Sequence, residues 1–407
     1  MDKFKTIMKG ILLAILIVGA IFTTGCGKNK INSQVKTTTN SDGTVTTSIK
    51  GVDGAVYKAE DLFTEKDLLQ TVDTSNANKI TVKDSEDVTI NKEGVYVISG
   101  TSKNTTIYVE VDDSEKVEIV LDGVSITNET MPCIYVKSAD KVFINLAKDS
   151  KNTLKVTGTF KTDGETNLDG VIYSKEDITL NGLGSLNIES SKHGIVSNDD
   201  LKITGGTYNI SASSKGINAN DSIRIADGTF NITSSDDAMH AENDEDNSLG
   251  YIFIGGGTYS IKKNDDGIRA TTVLQIDGGN LEINASEGLE ATYIQINNGT
   301  INIDASDDGI NATTKSSSYS PKVEINDGTI RITMGQGDTD GVDSNGDIII
   351  NGGTLTVTGQ STFDYDGEGK INGGTVICNG EEVDSLPNQM MGGGGHKGQG
   401  NPRERRR

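Results

Sequence analysis

The chain reads GGTYSIKKNDDGIRATTVLQIDG over residues 256–278, GNLEINASEGLEATYIQINN over 279–298 and GTINIDASDDGINATT over 299–314. Each pass follows one plan: Gly, a polar residue, an apolar–polar–Ile alternation, a polar break, an acid before Gly, an apolar residue and Ala, and a last apolar segment. Aligned on the Gly of the turn, the register runs Gly184, Gly206, Gly228, Gly257, Gly279, Gly299, Gly328, Gly353, Gly374, with spacings of 22, 22, 29, 22, 20, 29, 25 and 21 residues. A period near 22 marks a solenoid.

Every unit holds three short period-2 segments, for example Tyr208/Ile210/Ala212, Ile217/Ala219 and Ile223/Ile225, separated by Gly, Asn, Asp or Ser. None is long enough for a helix. Three strands per turn of about 22 residues, each stacked on its equivalent in the next, predict an all-β fold, a parallel β-helix with inward ladders of like residues. Ile210, Ile232, Ile261, Ile283, Ile303 and Ile332 are expected in one such ladder, and Tyr208, Phe230 and Tyr259 share the inward register of Leu186, Leu281 and Ile301. The Asn-Gly-Gly-Thr and Asp-Gly-Gly corners supply the positive φ of a sharp bend. The nonapeptide motif of the calcium β-roll does not occur.

The composition suits a core that grows by repetition: 33% apolar residues, no Trp and few aromatics in 407 residues. The formal charge is -22; residues 1–25 carry Asp2 against Lys3, Lys5 and Lys9, so removing them leaves -24. That charge excludes nucleic acid as a partner and favours cations or cation-bridged ligands.

Lys3, Lys5 and Lys9 precede an apolar run from Ile11 to Phe22, too short to span a bilayer, and Thr24-Gly25-Cys26 follows. Residues 1–25 read as a secretory signal. The small residue before Cys26 resembles a bacterial lipobox, which places a lipid on Cys26 and the protein at the extracellular face of the membrane; Thr23 is atypical for the lipobox start, and a plain signal with an incidental Cys is the alternative. Residues 26–60 read as a flexible tether. Residues 61–152 read as an N-terminal cap with irregular first coils, and DLFTEKDLLQ, residues 61–70, is expected as a short helix over the open end of the solenoid, with Thr64 and Asp67 as a capping pair. Regular repeats occupy 153–380, and 381–407 reads as a disordered Gly-rich, basic tail, solubilising or, through its terminal arginines, touching anionic lipid or wall polymer. Cys133 and Cys378 lie many repeats apart, so no disulfide is expected and each reads as a small hydrophobe.

Several runs carry a family resemblance: LFTEKDLLQTVD (62–73), EGVYVISGT (93–101), VLDGVSITN (120–128), IYVKSADKVFINLA (134–147), the repeated DDGI-x-A, HAENDEDNSLGYIFIGGGTY (240–259), GVDSNGDI-x-INGGT (341–354) and FDYDGEGKINGGTV (363–376). They resemble the clostridial cell-surface carbohydrate-binding β-helix family over about Asp61 to Gly380. The resemblance implies a right-handed parallel β-helix similar to pectate lyases, binding of cellulose and of polygalacturonate, bound calcium, and no lyase activity. A shared fold does not settle function, so the site is argued from its own residues.

The residue before the Gly of the middle strand runs His193, Lys215, Asp237, Asp266, Glu287, Asp308, Asp340, Asp366, and further acids stand just ahead of it at Asp236, Asp265, Asp307, Asp338 and Asp364. Neighbours one repeat apart are about 4.8 Å apart, and stacked carboxylates at that spacing repel unless neutralised. Ca2+, which takes six to eight oxygen ligands, is the natural neutraliser. The alternative is a solvated edge in which Asp-Gly is only turn chemistry. Lys192, His193 and Lys215 interrupt the pattern, so the metal ladder is expected to begin at Asp236.

A second, exposed column is expected two residues after the same Gly, Val196, Asn218, His240, Arg269, Glu290, Asn311, Asp343, pointing outward beside the acids. Asn218, Asn311 and His240 would bond sugar hydroxyls; Arg269 would pair with a uronate carboxylate or, alternatively, with Asp266 or Glu290. The insert Glu242–Asn247 is either a calcium loop or a solvated excursion, and Lys315–Pro321 is a polar loop with Tyr319 exposed. Three functions are open. A non-catalytic binding module for acidic or neutral cell-wall polysaccharide, acting as a monomer, is favoured; a calcium-dependent uronate lyase would need Arg269 or Lys263 as base; a structural adhesin would bind no sugar. No Ser/His/Asp or Cys/His set can be assembled from His193, His240 and His396.

Overall fold

In the regular repeats, strands of three to six residues separated by polar and Gly corners pair with their counterparts one repeat away, while the irregular first repeats hold longer strands such as Lys116–Asn128. The computed structural model describes residues 35–388 except 264, 337 and 338; the signal, Cys26, Asp338 and the basic end of the tail lie outside these. Thr229–Ser234, a first strand, lies parallel between Thr207–Ala212 and Thr258–Lys263. The middle strands, such as Met239–Ala241 and Ile268–Ala270, form a 12-stranded parallel sheet, and the first and third strands join in a sheet of 24. Among the described residues the helix is a single turn, Ala59–Leu62. The chain is therefore nearly all β.

The expected ladder forms. Ile210, Ile232, Ile261, Ile283, Ile303 and Ile332 pair in succession and each is at most 3% exposed. Tyr208, Phe230 and Tyr259 stack beside it with ring centroids 5.4 and 4.9 Å apart, fully in the core. The corner glycines behave as read: Gly257 has φ 102°, and a Cβ there would come 2.8 Å from the carbonyl of Gly228. Cys133 is buried, Cys378 is half-buried, and both are free.

The N-terminal reading needs correction. Residues 35–60 are not all tether: Lys36–Thr39 and Val45–Ser48 form a hairpin, and the chain from Val35 to Thr71 is a strap against the third strands. Nor does 61–70 form a helix over the open end. Val56 N–H donates to Gln295 Oε1 (3.0 Å), Tyr57 N–H donates to Gln275 Oε1 (2.7 Å), and Gln275 Nε2 donates to the Tyr57 carbonyl (2.9 Å). Tyr57 stacks on Tyr251 at 4.3 Å, and Leu62 and Phe63 pack with Phe253. The predicted pair does form, Thr64 N–H and Oγ1 each donating to Asp67 Oδ2 at 2.9 Å, but it closes one turn only. Asp67 is instead held on the flank by Lys141 Nζ (2.6 Å) and Thr179 Oγ1 (2.8 Å), and Gln70 Nε2 by the Thr204 carbonyl (3.0 Å). The strap thus runs from the repeat of Gln295 back to that of Lys141, against the stacking direction. At the other end Glu381–Val383, expected in the tail, folds back antiparallel on Thr375–Cys378.

Candidate functional site

The chain crosses from each first strand to its middle strand through the acidic break, and close stacking sets the residue that follows. A Cβ on Gly288 would lie 2.4 Å from the Gly309 carbonyl and 2.6 Å from Ile303 Cγ2; Gly267 is equally confined. Neither is among the glycines with positive φ. These glycines serve packing, so turn chemistry does not account for the acids ahead of them.

Backbone bonds fix the first column. Gly216, Ala238, Gly267, Gly288 and Gly309 donate N–H to the carbonyls of Asp237, Asp266, Glu287, Asp308 and Asp340 at 2.7–3.1 Å. Asp366 does not belong: Asp340 pairs with Ser361, whose hydroxyl donates to it. Asp364 pairs with Asp343 and so joins the second column, while Asp366 sits exposed in the following turn. Asp265 and Asp307 are exposed and Asp236 is half-buried.

Among the described residues two groups each bring three carboxylates together, with ligand atoms within 4.8 Å of one another: Asp236, Asp237 and Asp265, and Asp266, Glu287 and Glu290. They differ in what already neutralises them. In the second, Lys315 Nζ lies 2.7 Å from Glu290 Oε1, and Arg269 reaches Glu290 Oε2 (3.3 Å) and Asp266 Oδ2 (3.4 Å). In the first, His240 Nδ1 faces Asp237 Oδ2 and its Nε2 lies 3.0 Å from Glu242 Oε2. The hydrogen bond from His240 holds Glu242 well below the usual range, at about 2.

From Glu287 onward the carboxylates of the edge are held toward their neutral form. Burial, with Glu290 next, pushes Glu287 up to about 7; burial, with Asp307 and Asp340 adding, takes Asp308 to about 6. Burial and then Asp308 and Asp364 take Asp343 to about 7. Asn311 donates Nδ2 to Glu287 Oε2 (3.1 Å), while its Oδ1 is buried with no hydrogen-bond partner among the described residues. An all-oxygen set with an orphaned acceptor and acids that resist ionisation fits a hard cation.

The second column pairs in the predicted order, Val196, Asn218, His240, Arg269, Glu290, Asn311, Asp343. The expected exposure is not found: Val196, His240 and Glu290 are buried and Asn218, Arg269, Asn311 and Asp343 are half-buried, so the column is a recessed seam. The bland partners predicted for Arg269 are both present. Toward the N-terminus the same column continues as Tyr173, Tyr135 and Tyr108, under the Thr162–Asn167 hairpin and Leu168. Sequence reasoning missed these tyrosines; counting back from Val196 through the irregular repeats would have found them.

The two inserts are tied together. Asn243 Oδ1 accepts from the N–H groups of Glu245 and Asp246, and Asp246 caps Ser248, so Glu242–Asn247 is a self-capped excursion. Ser316 Oγ donates to the Asn247 carbonyl (2.6 Å), and Tyr319 packs on Tyr293 rather than standing exposed. At the N-terminal end Lys192 pairs with Asp169 (2.9 Å), and burial lowers His193 to about 4 against the pull of Asp169.

Fold and site together define a class: an all-β protein of stacked parallel repeats with one acidic edge. A family model described as "Carbohydrate-binding domain-containing protein" matches residues 84–341 and 287–383. A protein of that description from Acetivibrio thermocellus is 38% identical over 280 residues, 68% of this chain and 91% of its own length. The chain belongs to the carbohydrate-binding domain-containing protein family. A solved structure described as the polysaccharide lyase-like protein from C. thermocellum, a gadolinium derivative, aligns with a TM-score of 0.43 and 25% identity over 75% of this chain and 95% of that one.

Proposed function

We propose that this chain is a non-catalytic polysaccharide-binding protein, its repeats wound as a right-handed parallel β-helix, lipid-anchored through Cys26 at the cell surface. The observation that carries the reading is the fixed register of Asp237, Asp266, Glu287, Asp308 and Asp340 on one edge, joined by family membership. Asp236, Asp237 and Asp265, and the stretch Glu287, Asp308, Asn311, Asp340, Asp343, would hold calcium. Calcium there supplies the positive charge that lets an acidic polymer such as polygalacturonate meet a chain of net charge -22.

The protein's own groups orient the sugar. Asn218 and Asn311 lie in the seam beside the acids, and a neutral glucan such as cellulose would use such hydrogen bonds without the metal. Aromatic stacking contributes little, because Tyr208, Phe230 and Tyr259 face inward. Against a lyase stands the state of Arg269: burial opposes its charge, but Glu290, Asp237 and Asp266 outweigh this and raise its pKa, so it holds its proton more firmly than a base should. The test is the variant Asp308→Asn/Asp343→Asn on immobilised polygalacturonate. Reduced calcium-dependent retention with a melting temperature in chelator no lower than that of the parent supports the reading; undiminished retention places the site elsewhere.

A further inference from the structure

The first strands turn a second polar surface outward. In Thr229–Ser234 and Asn280–Ala285 exposed and buried residues alternate strictly, so every second side chain leaves the core. Seven pairings in fixed register join Lys151–Val156 to Thr329–Met334, so at about 4.8 Å per step this face runs for about 34 Å. Two shallow recesses lie on it, one of about 390 Å³ from Thr153 to Thr233 and one of about 340 Å³ from Ser260 to Thr333. They abut, because Asn231 and Thr233 of the first pair with Ser260 and Lys262 of the second. Together they form one trough along the stack, and among the described residues its lining comes from first strands alone.

The trough presents amides and hydroxyls that are already held in place. Asn187 Nδ2 donates to the Asn152 carbonyl (3.3 Å), Asn209 Nδ2 to Asn187 Oδ1 (2.9 Å) and Asn231 Nδ2 to Asn209 Oδ1 (2.8 Å). Further on, Asn302 Nδ2 donates to Glu282 Oε1 (2.6 Å). Each amide uses one N–H on its neighbour and keeps the other, with lone pairs, for a ligand. Since the neighbour fixes the rotamer, little side-chain freedom is left to lose on binding.

Charge cancels on this face, in contrast to the acidic edge. Lys155, Lys262 and Arg331 stand against Glu189, Glu282 and Asp304, three of each sign, so the sum is zero on a chain of net charge -22. Lys155 is paired with Glu189 at 2.7 Å, and between that pair and Lys262 the outward residues are only Thr207, Asn209, Ser211, Thr229, Asn231 and Thr233. A polyuronate brings a carboxylate on each sugar and meets no compensating charge here. A second copy of this chain would find no apolar side chains to bury. An uncharged, hydroxyl-rich polymer fits both the charge and the hydrogen-bonding groups.

We propose that the trough on the first strands is a separate binding site for an extended neutral polysaccharide, working without metal. This rests on the reading of the chain as a polysaccharide-binding protein and divides the ligands between two surfaces, acidic polymer on the calcium edge and neutral polymer in the trough. Donors and acceptors recur with the repeats, so a long polymer makes the same contacts several times over while a short oligosaccharide makes few, and affinity grows with polymer length.

The test measures binding isotherms of the purified chain on phosphoric-acid-swollen cellulose in excess chelator, and retention on immobilised polygalacturonate in calcium. It compares the parent with Asn209→Ala/Asn231→Ala, which removes the amide ladder, and with Ser211→Glu/Thr233→Glu, which keeps the ladder and sets two carboxylates into the trough at exposed positions. Each variant should lose about tenfold or more in affinity for cellulose and keep its calcium-dependent retention on polygalacturonate, which also shows that it is folded. Cellulose affinity unchanged in both variants overturns the proposal. So does loss on both matrices by a variant that melts as the parent does, because the two surfaces would then be one site. A parent that binds polygalacturonate in calcium but no cellulose in chelator overturns the trough and leaves the calcium edge standing. A parent that binds neither polymer sinks the polysaccharide reading itself, and the trough with it.

Discussion

Replacing Asp67 by Ala should loosen the strap at its most buried point. The carboxylate is fully buried, with Lys141 Nζ at 2.6 Å, Lys202 Nζ at 3.8 Å, Thr179 Oγ1 at 2.8 Å and the Thr64 N–H at 2.9 Å. Burial alone would raise its pKa, but Lys141 and then these hydrogen bonds more than offset this and bring it down to about 2 from 3.8. A shift of nearly two units corresponds to stability on the order of 2 kcal/mol, present above pH ~4 and lost as pH falls through about 2. Truncation costs more than that, because Lys141 stays buried without its partner: ~3–5 kcal/mol. Asp67→Asn, which keeps the shape and some hydrogen bonds, should cost less than Asp67→Ala. The double variant Asp67→Leu/Lys141→Met should recover part of the loss, since no lone charge at Lys141 remains. Urea unfolding followed by circular dichroism and by tyrosine fluorescence measures all four chains. A cost below about 1 kcal/mol for Asp67→Ala would refute the docked strap, and so would a double variant no better than the single one.

The acidic edge predicts a pH dependence of the metal-stripped protein. Glu287 and Asp343 are raised to about 7 and Asp308 to about 6, so the folded chain holds these protons more tightly than the unfolded chain does. Their contribution is complete below about pH 4 and is lost as pH rises through 6 to 7, so the melting temperature in chelator should be lower at pH 8 than at pH 5, and calcium should restore more at pH 8. A melting temperature independent of pH would remove the electrostatic argument for a cation. In the core, Ile283→Ala should cost ~2–5 kcal/mol in urea unfolding, because the side chain is 3% exposed in the middle of its ladder. Gly288→Ala should also destabilise, although it adds only a methyl group, because the Gly309 carbonyl occupies that space.

Much of this was legible in sequence because the period is a physical constraint: a residue such as Ile261 must land on Ile232 and Ile283 or the ladder breaks. The same logic misled at the last repeat. Asp366-Gly367 looks like the Asp-Gly of earlier repeats, yet the corresponding pair is Ser361-Thr362, and Asp364 lines up with Asp343. Asp-Gly also serves turns, and motif alone cannot separate the two uses. The strap left a weaker trace. Its Lys, Asn and Thr composition reads as a tether, and its hydrogen bonds use backbone N–H groups and the amides of Gln275 and Gln295. The usable signal was in the third strands, where YIFI at 251–254 is apolar on both faces, a sign of cover on the outside as well as the inside. The order of the seam was read correctly from alternation, but neither its burial nor the way Lys315 folds over Glu290, since a loop position has no period.

A cation on the acidic edge is proposed to join this chain to an acidic polysaccharide. The most direct measurement is retention of the purified chain on immobilised polygalacturonate, in calcium and in excess chelator, at fixed ionic strength. Retention should be strong in calcium, abolished by chelator and restored by readding calcium, while a neutral glucan matrix should show no such reversal. Retention that is the same with and without chelator would contradict the account.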